Sequence, residues 1–316
     1  MNILGTEIRA GRNYQLSIDI AHLHTRTKID VPVIVRRSKN PGPCVLITGG
    51  IHGDEVNGVE IVRQIVANKY NIPSAGTIIC VPVINPFGFI MKTREFPDGR
   101  DLNRVFPGSK KGSLASQVAY ALMTELVPHA DYCIDYHTGG ADRFNYSQLR
   151  ISNENPELLE IAKVFGTPFI KYSSYREKSY RESATKMGKM VLLFEGGKSL
   201  HFDREVTRSG VQGALNVLNY LGMRSDFPKE ELQATDEPII FSESSWVRSK
   251  HSGMYRSLMR NGRKVQKGDV IGTITDPYGA FERKVKATAS GYIICLNHSP
   301  IVTMGDALAH IAVVDV

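Results

Sequence analysis

"GGIHGDEVNG", residues 49–58, joins two segments of different period. Before it, Val45-Leu46-Ile47 is a short continuous apolar run, the mark of a buried strand. After it, apolar residues recur at Val56, Val59, Ile61-Val62 and Ile65-Val66, a helical spacing. The junction sets His52 and Glu55 three residues apart in a glycine-rich turn, just where the strand ends.

The same alternation runs through the first 220 or so residues. "VPVIVRR" (31–37), "GTIICVPVINP" (76–86), "ADYCIDYHTGG" (130–140) and "MVLLFEGG" (190–197) read as strands. "SLASQVAYALMTELV" (113–127), "NPELLEIAKVFG" (155–166) and "GVQGALNVLNYLG" (210–222) read as helices. Ser113 and Asn155 suit N-cap positions, Pro156 a first helical position and Gly166 a stop. Strands alternating with helices predict an α/β fold: a mostly parallel mixed sheet with helices on both faces.

The pattern changes after the polar stretch 221–238, "LGMRSDFPKEELQATDEP". Residues 226–238 read as a linker between a catalytic domain, 1–225, and a second domain, 239–316. In the latter, "GRKVQKGDVIGTI" (262–274) and "SPIVTMGDALAHI" (299–311) share the frame Val-x-x-Gly-Asp-x-x-x-x-Ile. A duplicated β unit of this size predicts a small all-β barrel or sandwich. It looks like a biotinyl or lipoyl carrier domain. The segment between the repeats, "TDPYGAF" (275–281), has no lysine to carry a prosthetic group. A scaffold or lid is therefore the expectation.

Composition narrows the partners. The net charge of +7 comes without a basic run interleaved with aromatics, so no nucleic-acid motif is present. A basic surface can instead draw in anionic small molecules. No apolar run reaches the ~18 residues of a membrane span, and the N-terminus does not read as a signal peptide. Cys44, Cys80, Cys133 and Cys295 sit in apolar runs without a C-x-x-C pair. They read as reduced core residues of a cytoplasmic protein.

In an open α/β sheet, ligands bind beyond the carboxyl ends of the strands. Three strand ends here carry metal-capable groups: His52 with Glu55, His137 in "DYHTGG", and Glu195 in "LLFEGG". Two histidines and one carboxylate make a zinc site with its fourth position open. A free carboxylate beside it can take a proton from water. Taken singly, His137 also suits a half-buried histidine and Glu195 an ion pair. Between the first two turns lies "MKTREFPDGRDLNRVFPG" (91–108), with Arg94, Arg100, Asn103 and Arg104. Guanidinium groups match carboxylates, though a surface ion-pair cluster fits the spacing equally well.

"GGIHGDEVNG", "DLNRVFPG", "DYHTGG" and "FEGG", in this order, resemble the succinylglutamate desuccinylase/aspartoacylase family, which is related to the zinc carboxypeptidases. The likeness covers nearly the whole chain. It implies that His52, Glu55 and His137 hold one zinc ion per chain and that Glu195 is the general base and later the acid. It further implies that Asn103 and Arg104 grip the substrate α-carboxylate, that Arg94 polarises the scissile carbonyl with Arg100 competing for that role, and that Arg181 is a substrate-side arginine. Asp135 suits an acceptor that orients His137. The implied activity is hydrolysis of an N-acyl amino acid by metal-activated water. The alternative is a zinc carboxypeptidase acting on short peptides. Self-association into a homo-oligomer stays open.

Overall fold

A computed structural model describes the chain except for residues 23–24, 153–154, 225–236 and 316. Of the expected linker, 226–236 lies outside the described residues. A thirteen-stranded mixed sheet dominates the described residues. At its centre Met190–Lys198, Tyr132–Gly139, Asn40–Gly49 and Ala75–Val81 run parallel. Lys28–Arg37 and then Arg12–His22 close one side in antiparallel fashion.

Side-chain alternation explains the two helical layers. Val45 and Ile47 point into one core with Ile61, Ile65, Phe165 and Leu215. Cys44 and Leu46 point into the other with Val118, Leu122 and Leu126. Helices Val56–Ala67, Pro156–Phe165 and Arg204–Tyr220 thus cover one face, and the helix starting at Leu114 covers the opposite one. The Ser113 hydroxyl accepts from Ser116 N, the Asn155 side chain accepts from Glu157 N, and Gly166 ends its helix in the left-handed region.

On the other side of the centre, the sheet forks. Arg143–Ile151 pairs antiparallel with the Glu195 strand. Its first residues pair with Gly291–Asn297, at Asn145 opposite Cys295. Its last residues, from Gln148, pair in parallel with Phe169–Tyr172, which in turn pairs with Ile239–Phe241. Phe169, Phe241, Ile294 and Ala312 fill the wedge between the branches.

The strands after residue 243 follow the duplication. Ser244–Arg248, Gly253–Ser257, Lys264–Val265 and Val270–Thr275 form one unit. Glu282–Lys286, Gly291–Asn297, Ile301–Val302 and Ala307–Val313 form the other. The units interlock by exchanging their short strands: Ile301–Val302 pairs with Gly253–Ser257, and Lys264–Val265 with Gly291–Asn297. The two Gly-Asp turns match. Asp269 Oδ2 accepts from Gln266 N and Asp306 Oδ2 from Thr303 N, each at 2.8 Å. Gly268 and Gly305 both have positive φ, +96° and +97°, where a side chain would be strained.

Because the C-terminal strands continue the ladder of the first part, removing them uncovers two strand edges and an apolar wedge. A chain ended at residue 236 is expected to aggregate, as read by size-exclusion chromatography beside the full chain. A monodisperse, fully active truncation would contradict this.

Candidate metal and substrate site

The parallel ladder aligns the three strand ends. Glu195 lies directly opposite His137 in the pairing of their strands, so the two side chains emerge side by side. Thr48, near the end of the neighbouring strand, pairs with Asp135. The turn that carries His52 is pressed against the helix Pro86–Met91. A Cβ on Gly53 would collide with the backbone of Gly88 and Phe89. Glycine is required there by close approach. So it is at Gly139, where a Cβ would strike the Arg143 carbonyl, whereas at Gly140 a Cβ would meet only the flexible end of the Arg143 side chain.

Glu55 stands at the N-cap of the helix Val56–Ala67, yet its carboxylate makes no capping bond. It bridges the histidines instead: Oε1 lies 2.7 Å from His52 Nδ1 and Oε2 2.9 Å from His137 Nδ1. Thr138 N donates to Oε2 at 3.1 Å and Arg94 Nη1 to Oε1 at 3.2 Å. The far nitrogens of both rings meet carboxylates as well. His52 Nε2 lies 3.1 Å from Asp101 Oδ1, and His137 Nε2 2.9 Å from Asp135 Oδ2. Asp135 is held in turn by the Thr48 hydroxyl at 2.8 Å.

Burial opposes charge on Glu55 and on both histidines, and attraction between opposite charges overrides it. Burial disfavours the Glu55 carboxylate, but His52 and His137 hold its pKa well below the usual value. Burial disfavours protonated His137, but Asp135 and Glu55 raise it well above the ordinary histidine range. His52 is raised too, against burial, by Glu55 and Asp101.

The donor set fits a metal ion. Ligand atoms of His52, Glu55 and His137 all lie within 4.8 Å of one another. A carboxylate on each Nε2 fixes the tautomer that leaves Nδ1 free to ligate, the arrangement that supports metal-bound histidine. Two imidazoles and one carboxylate suit zinc with an open position.

These groups line a cavity of about 1050 Å³. Glu195 lies in it, with Asn145 Nδ2 donating to Oε2 at 2.7 Å and Arg150 Nη1 3.0 Å from Oε1. Arg94 spans Glu55 and Asp101, reaching Asp101 Oδ2 at 2.9 Å. Asn103 and Arg104 also line the cavity. Asn103 Oδ1 accepts from Tyr180 N, and Arg104 donates to the Asn103 carbonyl. Arg181 is buried, with Nη2 on the Ser173 and Ser174 carbonyls and Nη1 without a hydrogen-bond partner among the described residues. Burial and the nearby Arg150 push its guanidinium down to about 10. Arg100 stands apart, exposed and paired with Asp98 at 3.4 Å.

A family model for the succinylglutamate desuccinylase/aspartoacylase catalytic domain matches residues 41–221. The chain belongs to this family. It is 30% identical over 299 residues to an N-alpha-acetyl-L-2,4-diaminobutyric acid deacetylase of Halomonas elongata, covering 89% of this chain and 85% of that protein. Its fold is shared by the ectoine utilization protein EutE (DoeB) of Ruegeria pomeroyi with product bound, at TM-score 0.84 and 22% identity over 97% of this chain and 98% of that one. A succinylglutamate desuccinylase/aspartoacylase of Rhodobacter sphaeroides matches equally, at TM-score 0.84 and 24% identity over 98% of both chains. This family acts as deacylases, so the chain is a hydrolase of amide bonds outside peptides.

Sequence reasoning left Asp101, Asn145, Arg150 and Lys171 without a role, and all four line the cavity. Asp101 had a usable signal, as the N-cap of the short turn Leu102–Arg104. The period-two run Arg143-Phe144-Asn145-Tyr146-Ser147 marks a strand with a polar face. The four cysteines are buried and unpaired, as expected; burial pushes each thiol up to about 12. No described helix is long and apolar enough to cross a membrane.

Replacing His52 by Ala removes one of three donors and leaves Glu55 short of a partner. Elemental analysis of the purified variant is expected to show much less bound zinc than the parent protein. Stoichiometric zinc in His52→Ala would refute the ligand set.

Proposed function

We propose that this protein is a zinc-dependent deacylase that hydrolyses the amide bond of an N-acyl amino acid. One observation carries the reading: the His52–Glu55–His137 donor set shares a cavity with a carboxylate that is not a ligand, Glu195, and with Asn103 and Arg104. The Halomonas relative, a deacetylase of an amino acid's α-nitrogen, supports it.

Zinc held by His52, Glu55 and His137 would supply a Lewis acid and make water more acidic. Glu195 accepts the proton of the attacking water and returns it to the departing nitrogen. Asn145 and Arg150 hold one carboxylate oxygen each, so its orientation is set before substrate arrives. Arg94, anchored between Glu55 and Asp101, meets the negative charge that develops on the carbonyl oxygen. Asn103 and Arg104 bind the α-carboxylate, and Arg181 lies on the substrate side. Exclusion of water from these contacts when substrate binds strengthens them.

Glutamine at position 195 keeps the shape of the side chain but cannot carry a proton. Glu195→Gln is expected to retain zinc while kcat falls at least ~10²-fold, the lower end for lost acid–base catalysis. Near-normal kcat per bound zinc would remove Glu195 from the reaction.

Arg104→Ala removes a charge-assisted hydrogen bond of ~1.5–3 kcal/mol. kcat/KM should drop roughly 10- to 150-fold, at 1.4 kcal/mol per decade. The loss should appear on N-acyl amino acids and nearly vanish on their α-amides. Equal losses on both would rule out the clamp.

A further inference from the structure

The strands Ser244–Arg248 and Glu282–Lys286 each stand at the edge of a sheet. Among the described residues, the first pairs only with Ala307–Val313 and the second only with Val270–Thr275. Their free edges flank one seam in the C-terminal β part. Side chains pin the seam at both ends. The Ser245 and Thr288 hydroxyls share a hydrogen bond at 2.8 Å. His251 meets Phe281 edge to face, with ring centroids 5.4 Å apart. Between these pins no backbone hydrogen bond crosses among the described residues, and a cavity of about 310 Å³ opens. Its floor is apolar, because Val247, Ile274 and Val285 belong to the core of the β part. Val247 follows Trp246, which lines the cavity of His52 and Glu195. Neighbours on a strand face opposite ways, and no residue lines both cavities. The seam is a separate site.

The rim of this cavity is cationic. Arg248 and Lys250 stand on one side, and Arg283, Lys284 and Lys286 on the other. They are five of the ten lysines and arginines after residue 238, and none of the six carboxylates there lines the cavity. Exposed cations such as Arg9, Arg63 and Lys186 sit on carboxylates of the same chain. Among the described residues, none of the five rim cations has an ion pair. Arg248 donates to the Gly305 carbonyl, and Arg283 donates to the Glu282 carbonyl while it covers the Phe281 ring. A cavity this small is about one Debye length across at physiological ionic strength, so its cations repel one another. An anion bearing several charges offsets that repulsion. The volume lies at the low end for small-molecule sites, ~300–1,000 Å³. The pins at both ends stop an extended chain from running through it.

We propose that this seam binds a small organic polyphosphate, with its phosphates on the rim cations and an apolar or aromatic body on the floor of Val247, Ile274 and Val285. A nucleoside triphosphate has that chemistry. A single carboxylate would leave most of the rim unpaired, whereas a triphosphate meets several cations at once. The site does not depend on the deacylase reading, since it shares no residue with the metal cavity.

Binding is read on the zinc-loaded full chain by the fluorescence anisotropy of ATP labelled on its ribose with a methylanthraniloyl group. The probe is expected to bind saturably, one per chain. Unlabelled ATP should displace it, inorganic triphosphate at least ~ten-fold more weakly for want of an apolar body, and adenosine more weakly still. The double variant Lys284→Met/Lys286→Met should weaken probe binding at least ~ten-fold, as the loss of two charged contacts implies. Both lysines are exposed, so its melting temperature should stay that of the parent. Lys250→Met, on the other side of the seam, should weaken binding in the same direction. Arg104→Ala, in the metal cavity, should leave it unchanged. Absence of saturable binding overturns the site. So does binding that survives in both lysine variants but is lost in Arg104→Ala, which would put the nucleotide in the metal cavity. Displacement by oligothymidylate or polyglutamate as tight as by ATP would make the rim a nonspecific polyanion surface and overturn it as well.

Discussion

The carboxylate of Glu55 is the point on which the site turns. It is almost wholly buried, and an isolated charge there would be very costly. Two imidazoles, one backbone N–H and one guanidinium converge on its two oxygens. Each partner is itself held: His52 and Arg94 by Asp101, His137 by Asp135, Asp135 by Thr48. A buried network of this kind is stable only when complete. The same completeness suits the cluster to a metal ion, because the protein's own groups set the orientation of both rings.

What brings these groups together is the register of parallel strands. Glu195 faces His137, and Thr48 faces Asp135, because the central strands pair without a slip over that length. A one-residue shift would turn every side chain to the other face. The two apolar cores prevent that shift. Val45 and Leu46 serve different helical layers, so a slip would bury the wrong set on each side.

This division explains what was legible in the sequence. The strands near His52, His137 and Glu195 carry their own apolar period, and each ends at a glycine turn, so both the fold and the clustering of His52, Glu55 and His137 could be read locally. Ser113 and Asn155 could be read for the same reason. Asn145, Arg150 and Lys171 could not. They reach Glu195 only through an antiparallel strand and a fork in the sheet, and no short window encodes which strand lies next to which. Arg94 and Arg100 had equal claims by spacing. They differ in the structure because Arg94 lies within reach of Asp101 and Glu55, whereas Arg100 is exposed and pairs with Asp98.

The fork also explains how a tryptophan so late in the chain comes to line the cavity that holds the proposed base. From Glu195 the ladder passes through Arg143–Ile151, Gly291–Asn297 and Ala307–Val313 to Ser244–Arg248. On a flat sheet, four steps of ~4.8 Å would leave Trp246 ~19 Å from Glu195. Strand twist of ~20–25° per step accumulates to ~80–100° over the same path. Such a twist brings the edge strand round toward the crevice, whose wall Trp246 lines. The other branch ends at Ile239–Phe241, and Lys171 ties the two by its bond to Ser244. Both branches are hydrogen-bonded back to one strand, and the interlocked repeats stiffen the outer one. The wall of the cavity is therefore fixed relative to its base by continuous backbone pairing, not by the residues between 225 and 238. That pairing is how a residue so late in the chain comes to line the same cavity as His52, Glu55 and Glu195.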